Sequence, residues 1–259
     1  ERLAYYLLSH DDERKDYASA LIAHHFDAAG QKDRSVEFFF QAADKALDQF
    51  GAAEALRLCD KVLDRVADEA PLRLEAMKIR ARALNELGLR DETARALEEI
   101  ERLTEGADPA ERADILLRRA RFCFDTSELR AAREFTDRAL VLAKESGALI
   151  QEAEAGLMHA VIMASEGRRD AAQLLAEKAA ETFGTLEGAT CLESRVKALN
   201  LVGVLHRQAG HHRLALEAYE SALKVAQGAQ LRSQTRYLLA NSALALAYLG
   251  ELPRAIERY

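Results

Sequence analysis

The chain has 259 residues, 49% hydrophobic, 31% charged and only 6% aromatic, with three prolines and no tryptophan. This alanine-, leucine-, glutamate- and arginine-rich vocabulary favours helix over strand, and a formal charge of −7 argues against a surface built for nucleic acid. No run of about 18 apolar residues occurs, which excludes a membrane-spanning helix.

The opening stretch ERLAYYLLSH lacks the basic flank and small-residue cleavage site of a secretory signal. Residues 1–50 are expected to form atypical, capping helices. Within Ile22–Leu47 the phenylalanines Phe38, Phe39 and Phe40 are consecutive and cannot all face one core. The helix that holds them (31–49) is therefore expected to be sandwiched between two neighbours. Segments 31–49, 52–66 and 72–87 read as three helices, with Gly51 marking a degenerate half-unit. A periodic pattern runs along the chain. Gly30, Gly88, Ser127, Gly167, Gly210 and Gly250 align as one turn position, and seven residues upstream stand Ala23, Ala81, Ala120, Ala160, Gly203 and Ala243. Five downstream come Ser35, Thr93, Ala132, Ala172, Ala215 and Ala255; twelve downstream come Ala42, Ile100, Ala139, Ala179 and Ala222. Small residues in mid-helix let a neighbouring helix approach to about 8–10 Å, and a turn glycine can take the left-handed conformation that ends a helix. Apolar residues recur at three and four between turns, so each unit reads as helix, tight turn, antiparallel helix.

This column pattern resembles the tetratricopeptide (TPR) repeat over nearly the whole chain, most clearly at Leu199–Leu223 and Met163–Ala179. Thr93 and Ile100 depart from its alanines, and turns from Gly88 onward are roughly 40 residues apart, longer than the roughly 34 of that repeat. Ile22–Leu47 is similar, more narrowly, to the junction where helical repeats follow the ATPase core of bacterial signal-transduction ATPases, including maltose-regulator-like activators and kinase- or cyclase-linked relatives. No GxxxxGK[ST] phosphate loop is present. The expected fold is all-α: a right-handed α-solenoid of antiparallel helix pairs, about six repeats of roughly 40 residues, forming one domain over 1–259 with repeats at 51–259. The chain is expected to be a fragment of a longer protein.

The resemblance places residues about three, six and ten positions before each turn on the concave face. These are Lys78, Arg82 and Asn85; Leu117, Arg121 and Phe124, with Arg118 nearby; Leu157 and Val161; Asn200, Val204 and Arg207; and Leu244. Such a groove is basic in its first half and apolar in its second, which suits an extended peptide with an acidic group and aliphatic side chains. Lys78 and Arg82 imitate part of the carboxylate clamp of chaperone-binding relatives, but the asparagine expected with them is absent at 82, so that activity is not assigned.

Other constellations give weaker chemistry. Arg118, Arg119 and Arg121 interleave with Phe122 and Phe124 as a stacking platform would, yet the charge is local. His24 and His25 are adjacent on a helix and diverge by about 100°. His206 occupies an interior column, and His211 and His212 open the next helix, where exposure is expected. No metal site and no cofactor is implied. Carboxylates lie on polar helix faces without a paired histidine or nucleophile, and no serine or cysteine has a strained-turn context, so no enzymatic activity is expected. Cys59, Cys123 and Cys191 read as small buried residues in a reducing, cytoplasmic setting. The functional expectation is a non-catalytic scaffold that binds a peptide, a partner domain or a small inducer. The alternatives are a sensor or autoinhibitory arm of a larger ATPase-type regulator, and a self-association module.

Overall fold

The computed structural model describes residues 2–10, 15–49, 51–67 and 71–258. All regular structure among them is helical, in two compact units, 1–106 and 107–259. The first unit holds α1 (Arg2–His10), α2 (Lys15–Ala28), α3 (Lys32–Asp48), α4 (Ala52–Leu63), α5 (Pro71–Glu86) and α6 (Arg90–Leu103). The second holds α7 (Pro109–Asp125), α8 (Leu129–Ser146), α9 (Leu149–Ser165), α10 (Arg169–Thr185), α11 (Ala189–Gln208), α12 (His212–Gly228), α13 (Arg232–Tyr248) and α14 (Leu252–Arg258). Each unit is a stretch of TPR-like helical solenoid.

The turns explain the pairing. All six aligned turn residues take positive φ, from 68° at Ser127 to 80° at Gly210 and Gly250. Each closes the same double hydrogen bond: Gly210 N–H donates to the Arg207 carbonyl at 3.1 Å, and His211 N–H donates to the His206 carbonyl at 2.9 Å. This satisfies carbonyls that the end of a helix would otherwise leave bare. The residue after the turn then starts the next helix, its carbonyl accepting from the column five residues beyond the turn, as in Ala215 N–H to His211 at 3.0 Å. The column is buried in every unit, from Ser35 to Ala255. Where it is polar, Ser35 and Thr93 turn their hydroxyls onto the Lys32 and Leu89 carbonyls. α7 begins with a side-chain cap, the Ala110 N–H donating to Asp108 Oδ2 at 3.0 Å, with Pro109 in the first turn.

Two closures escaped the turn column. Gly147 and Gln230, at φ 68° and 56°, end α8 and α12 with the same bond pattern, and a glutamine gives no compositional hint of a left-handed residue. In the first unit α3 packs on α2, α4 and α5, as the phenylalanine triplet required. Phe38 stacks on Phe26 with ring centroids 5.7 Å apart, while Phe39 is wholly buried in the cluster that joins α3 to α4 and α5.

In the second unit each helix packs on the next. The first helices of successive pairs also touch, α7 on α9, α9 on α11 and α11 on α13, while the second helices are spread apart. That asymmetry bends the unit with α7, α9, α11 and α13 on its inner face. A close approach is made at Gly203 of α11. A Cβ there would stand 2.4 Å from Cε1 of Tyr219 on α12, a side chain with 0% exposure. The glycine is what lets the ring in.

Candidate functional site

The inner face of 107–258 is a set of parallel polar stripes. On α7, Asp114, Arg118, Arg121 and Asp125 follow one another at helical spacing and so share a face. On α9 the stripe runs through Glu154 and Val161, and on α11 through Glu193, Lys197, Asn200, Val204 and Arg207. On α13 it runs through Gln234, Tyr237 and Asn241.

Side-chain hydrogen bonds tie these stripes across the helices. Ser194 Oγ donates to Glu154 Oε1 at 3.1 Å, joining α11 to α9. Gln234 Nε2 donates to Glu193 Oε1 at 3.3 Å, and Asn241 Nδ2 donates to Asn200 Oδ1 at 2.8 Å, joining α13 to α11. The partners are 40 or 41 residues apart, so the repeat length itself aligns them. Glu154 was not among the sequence candidates. Burial pushes its carboxyl above the usual carboxylate range and Asp114 adds to the shift, against the Ser194 hydrogen bond, Lys197 and Arg118. The available signal was the second of two glutamates, Glu154 after Glu152, on a helix that is apolar for most of its remaining length, LIQEAEAGLMHAVIMAS.

The expected basic half-groove takes a different form. Lys78, Arg82 and Asn85 lie on α5 of the first unit, where Lys78 pairs with Glu75 at 2.8 Å and Arg82 with Glu86 at 3.3 Å. On α7, Arg118 pairs with Asp114 at 2.8 Å and Arg121 with Asp125 at 3.2 Å. Every one of these cations has an acidic residue within one helical turn, which compensates its charge locally. The exposed pairs of Arg82, Arg118 and Arg121 are of a kind worth only about 0.3–0.5 kcal/mol each. Arg119 leaves the groove altogether, its guanidinium 4.3 Å from the Phe135 ring centroid.

The apolar candidates divide by burial. Leu117, 8% exposed, belongs to the α7–α8–α9 core and supports the groove instead of lining it. Phe124 is half-buried against the same cluster, beneath Arg121 at 5.9 Å, and Leu157 packs into the α9–α10–α11 core. Val161 and Val204 are half-buried, and Leu244 is exposed. Arg207 is turned partly inward. Its Nε is buried without a partner, and its charge opposes the upward shift that burial imposes on the Tyr219 phenol.

The histidines behave as packing elements. His206 is half-buried with Gln173 Nε2 3.5 Å from its Nε2. His212, expected to be exposed, stacks on Tyr248 at 4.7 Å with ring planes 10° apart, because the turn swings the start of α12 against α13. His24 lies edge-on to Phe39 at 5.3 Å, and burial lowers its pKa. Among the described residues no three histidine, cysteine, aspartate or glutamate side chains converge as metal ligands would, and no helix is long and apolar enough to cross a membrane. The three cysteines are buried thiols, and burial pushes Cys59 up to about 12.

No protein-family model and no curated protein sequence matches the chain. Solved structures do. A Rap protein complexed with competence and sporulation factor superimposes with a TM-score of 0.70 at 14% identity, covering 100% of this chain and 72% of that one. BtubC (BKLC) from P. vanneervenii gives 0.62 at 18% identity, covering 84% and 88%. A signal-transduction ATPase with numerous domains carrying a tetratricopeptide repeat sensor, from Pyrococcus horikoshii, gives 0.61 at 15% identity, covering 99% of this chain and 42% of that one. At these identities the likeness is one of fold, a TPR-type helical repeat.

Proposed function

We propose that the inner face of 107–258 captures an extended segment of a partner polypeptide, with no chemistry of its own. The observation that carries this reading is the Asn200–Asn241 pair. One amide hydrogen is spent on the partner's carbonyl, leaving the Asn200 amino group and the Asn241 carbonyl side by side at the groove. A donor beside an acceptor is what an extended backbone needs to be held without regard to its side chains. Val161, Val204 and Leu244 supply apolar steps for aliphatic side chains. Arg118 and Arg121 can exchange a helical carboxylate for one on the ligand. The likeness to a Rap protein complexed with a factor, across the full length of this chain, supports a binding role for such a surface. The buried free thiols fit a reducing cytoplasmic setting.

The test is selection of peptides from a displayed library on the 259-residue chain, followed by fluorescence anisotropy with the selected peptide. Asn200→Ala with Asn241→Ala should weaken binding at least about tenfold, the loss of roughly two hydrogen bonds, while helicity by circular dichroism stays unchanged. Equal affinity for the double variant and the parent would overturn the reading. A second reading is favoured by the coverage of the P. horikoshii sensor structure, 99% of this chain against 42% of that one: the repeats would serve as the sensing arm of a larger ATPase regulator. It requires an ATPase module beside the repeats in the full-length gene product.

A further inference from the structure

Eleven residues before the turn, the units carry Met77, Leu116, Leu199 and Leu239, all buried or half-buried, with Ser19 in the first. In the unit of α9 and α10 the same place holds Gly156, and a Cβ built there would meet nothing within 4 Å. The missing side chain opens onto a cavity of about 290 Å³ between α8 and α10, floored by α9. Gly156 and His159 face the opposite side of α9 from Glu154 and Val161, so this cavity is separate from the peptide groove. Its walls are aliphatic, chiefly Leu140, Leu149 and Leu175. Lys144 and Lys178 stand exposed at its rim, and neither forms an ion pair among the described residues. Glu152 is the acidic group in the lining. His159 is held by Asp137 at 3.2 Å, and burial lowers its pKa against the pull of the Asp137 carboxylate. The rim therefore carries one net positive charge over an apolar pit. The volume sits at the small end of the roughly 300–1,000 Å³ typical of ligand sites.

We infer that this cavity binds a small aliphatic carboxylate, its chain in the space that Gly156 leaves open and its head group between Lys144 and Lys178. An apolar cavity of this size gains by taking up a hydrocarbon chain, and two ammonium groups without partners favour a carboxylate over an alcohol or an amine.

The probes are octanoate, octanol and octylamine, titrated calorimetrically into the 259-residue chain. Octanoate should bind saturably with a Kd on the order of 0.1–1 mM, as expected for about ten heavy atoms of modest ligand efficiency. Octanol should bind more weakly, and octylamine should show no saturation. Gly156→Leu, which restores the side chain of the other units, should abolish octanoate binding and raise the melting temperature. Lys144→Ala with Lys178→Ala, both exposed and safe for folding, should bring octanoate down to the affinity of octanol. No saturable octanoate binding, octylamine binding as tight as octanoate, or unchanged octanoate affinity in the lysine variant would each overturn the inference. None of these outcomes bears on peptide capture at the inner face.

Discussion

Replacing Gly203 by alanine sets two effects of opposite sign against each other. In a helix interior, glycine to alanine normally stabilises by about 1 kcal/mol through backbone entropy. Here the new Cβ would lie 2.4, 2.6 and 2.9 Å from three ring atoms of Tyr219, well inside the ~3.5–4.0 Å of a normal carbon contact. The ring must retreat by about an ångström, and it is fully buried, packed with Leu216, Ala222 and Leu246. Overpacking of this kind costs about 1–3 kcal/mol, so the net effect runs from neutral to destabilisation by about 2 kcal/mol. At about 2–4 °C per kcal/mol for a domain of 150–250 residues, the melting temperature should stay level or fall by up to about 8 °C. Thermal melts followed by circular dichroism measure this. Combining the change with Tyr219→Leu isolates its cause: with the ring gone, Gly203→Ala should become neutral or stabilising, a coupling of about 1 kcal/mol or more. A rise in melting temperature from Gly203→Ala alone would refute the close approach of α11 and α12.

Other predictions follow from local features. Ser127 holds φ 68° at a turn where the other units use glycine, so Ser127→Gly should stabilise by up to about 1 kcal/mol, whereas Gly210→Ala should destabilise by about 1–2 kcal/mol; urea denaturation measures both. Glu154 has its carboxyl pKa raised by burial, so its contribution to stability is fully present below the ordinary carboxylate range and is lost as pH rises through the folded value. Glu154→Gln, which keeps the acceptor for Ser194, should therefore melt higher than the parent at pH 8, with the gap closing as pH falls toward 4. The buried thiols Cys59 and Cys123, both with raised pKa values, should resist a thiol reagent at pH 8 until denaturant is added; prompt labelling of the folded chain would contradict their burial.

The columns of small residues were legible in the sequence because one physical requirement, close approach of helices at a fixed place in each repeat, recurs along the chain. The left-handed turns were legible for the same reason, and Ser127 was found by its position in the column although it is not glycine. The turn at Gln230 was not, since it belongs to a connection between units that the columns do not span. The groove was less legible. Position within a repeat identifies which face a residue occupies, but not which neighbour it meets. Arg118 and Arg121 were assigned to the inner face without Asp114 and Asp125, the carboxylates that compensate them one turn away. Glu154 was overlooked because its partner Ser194 lies 40 residues on, a pairing visible only once adjacent repeats are stacked.

Repeats of one length put equivalent positions of successive helices side by side, so a substitution in one unit is felt in the next. The residue seven before the turn and the residue nine after it show this within one helix pair. Gly203 faces Tyr219, whereas Ala160 and Ala176 share one cluster and Ala23 and Phe39 another. At Gly203 size is traded across the pair, the large Tyr219 ring falling opposite a residue with no side chain. Gly156 departs from this economy, since no larger residue moves in to fill its space and a cavity remains. An unfilled cavity of this kind costs stability, about 1 kcal/mol or more for each missing large side chain. A fold built from interchangeable units could remove it with a single leucine. Its presence beneath two lysines without ion-pair partners is therefore the strongest physical reason to look for a ligand on that side of the molecule as well as in the groove.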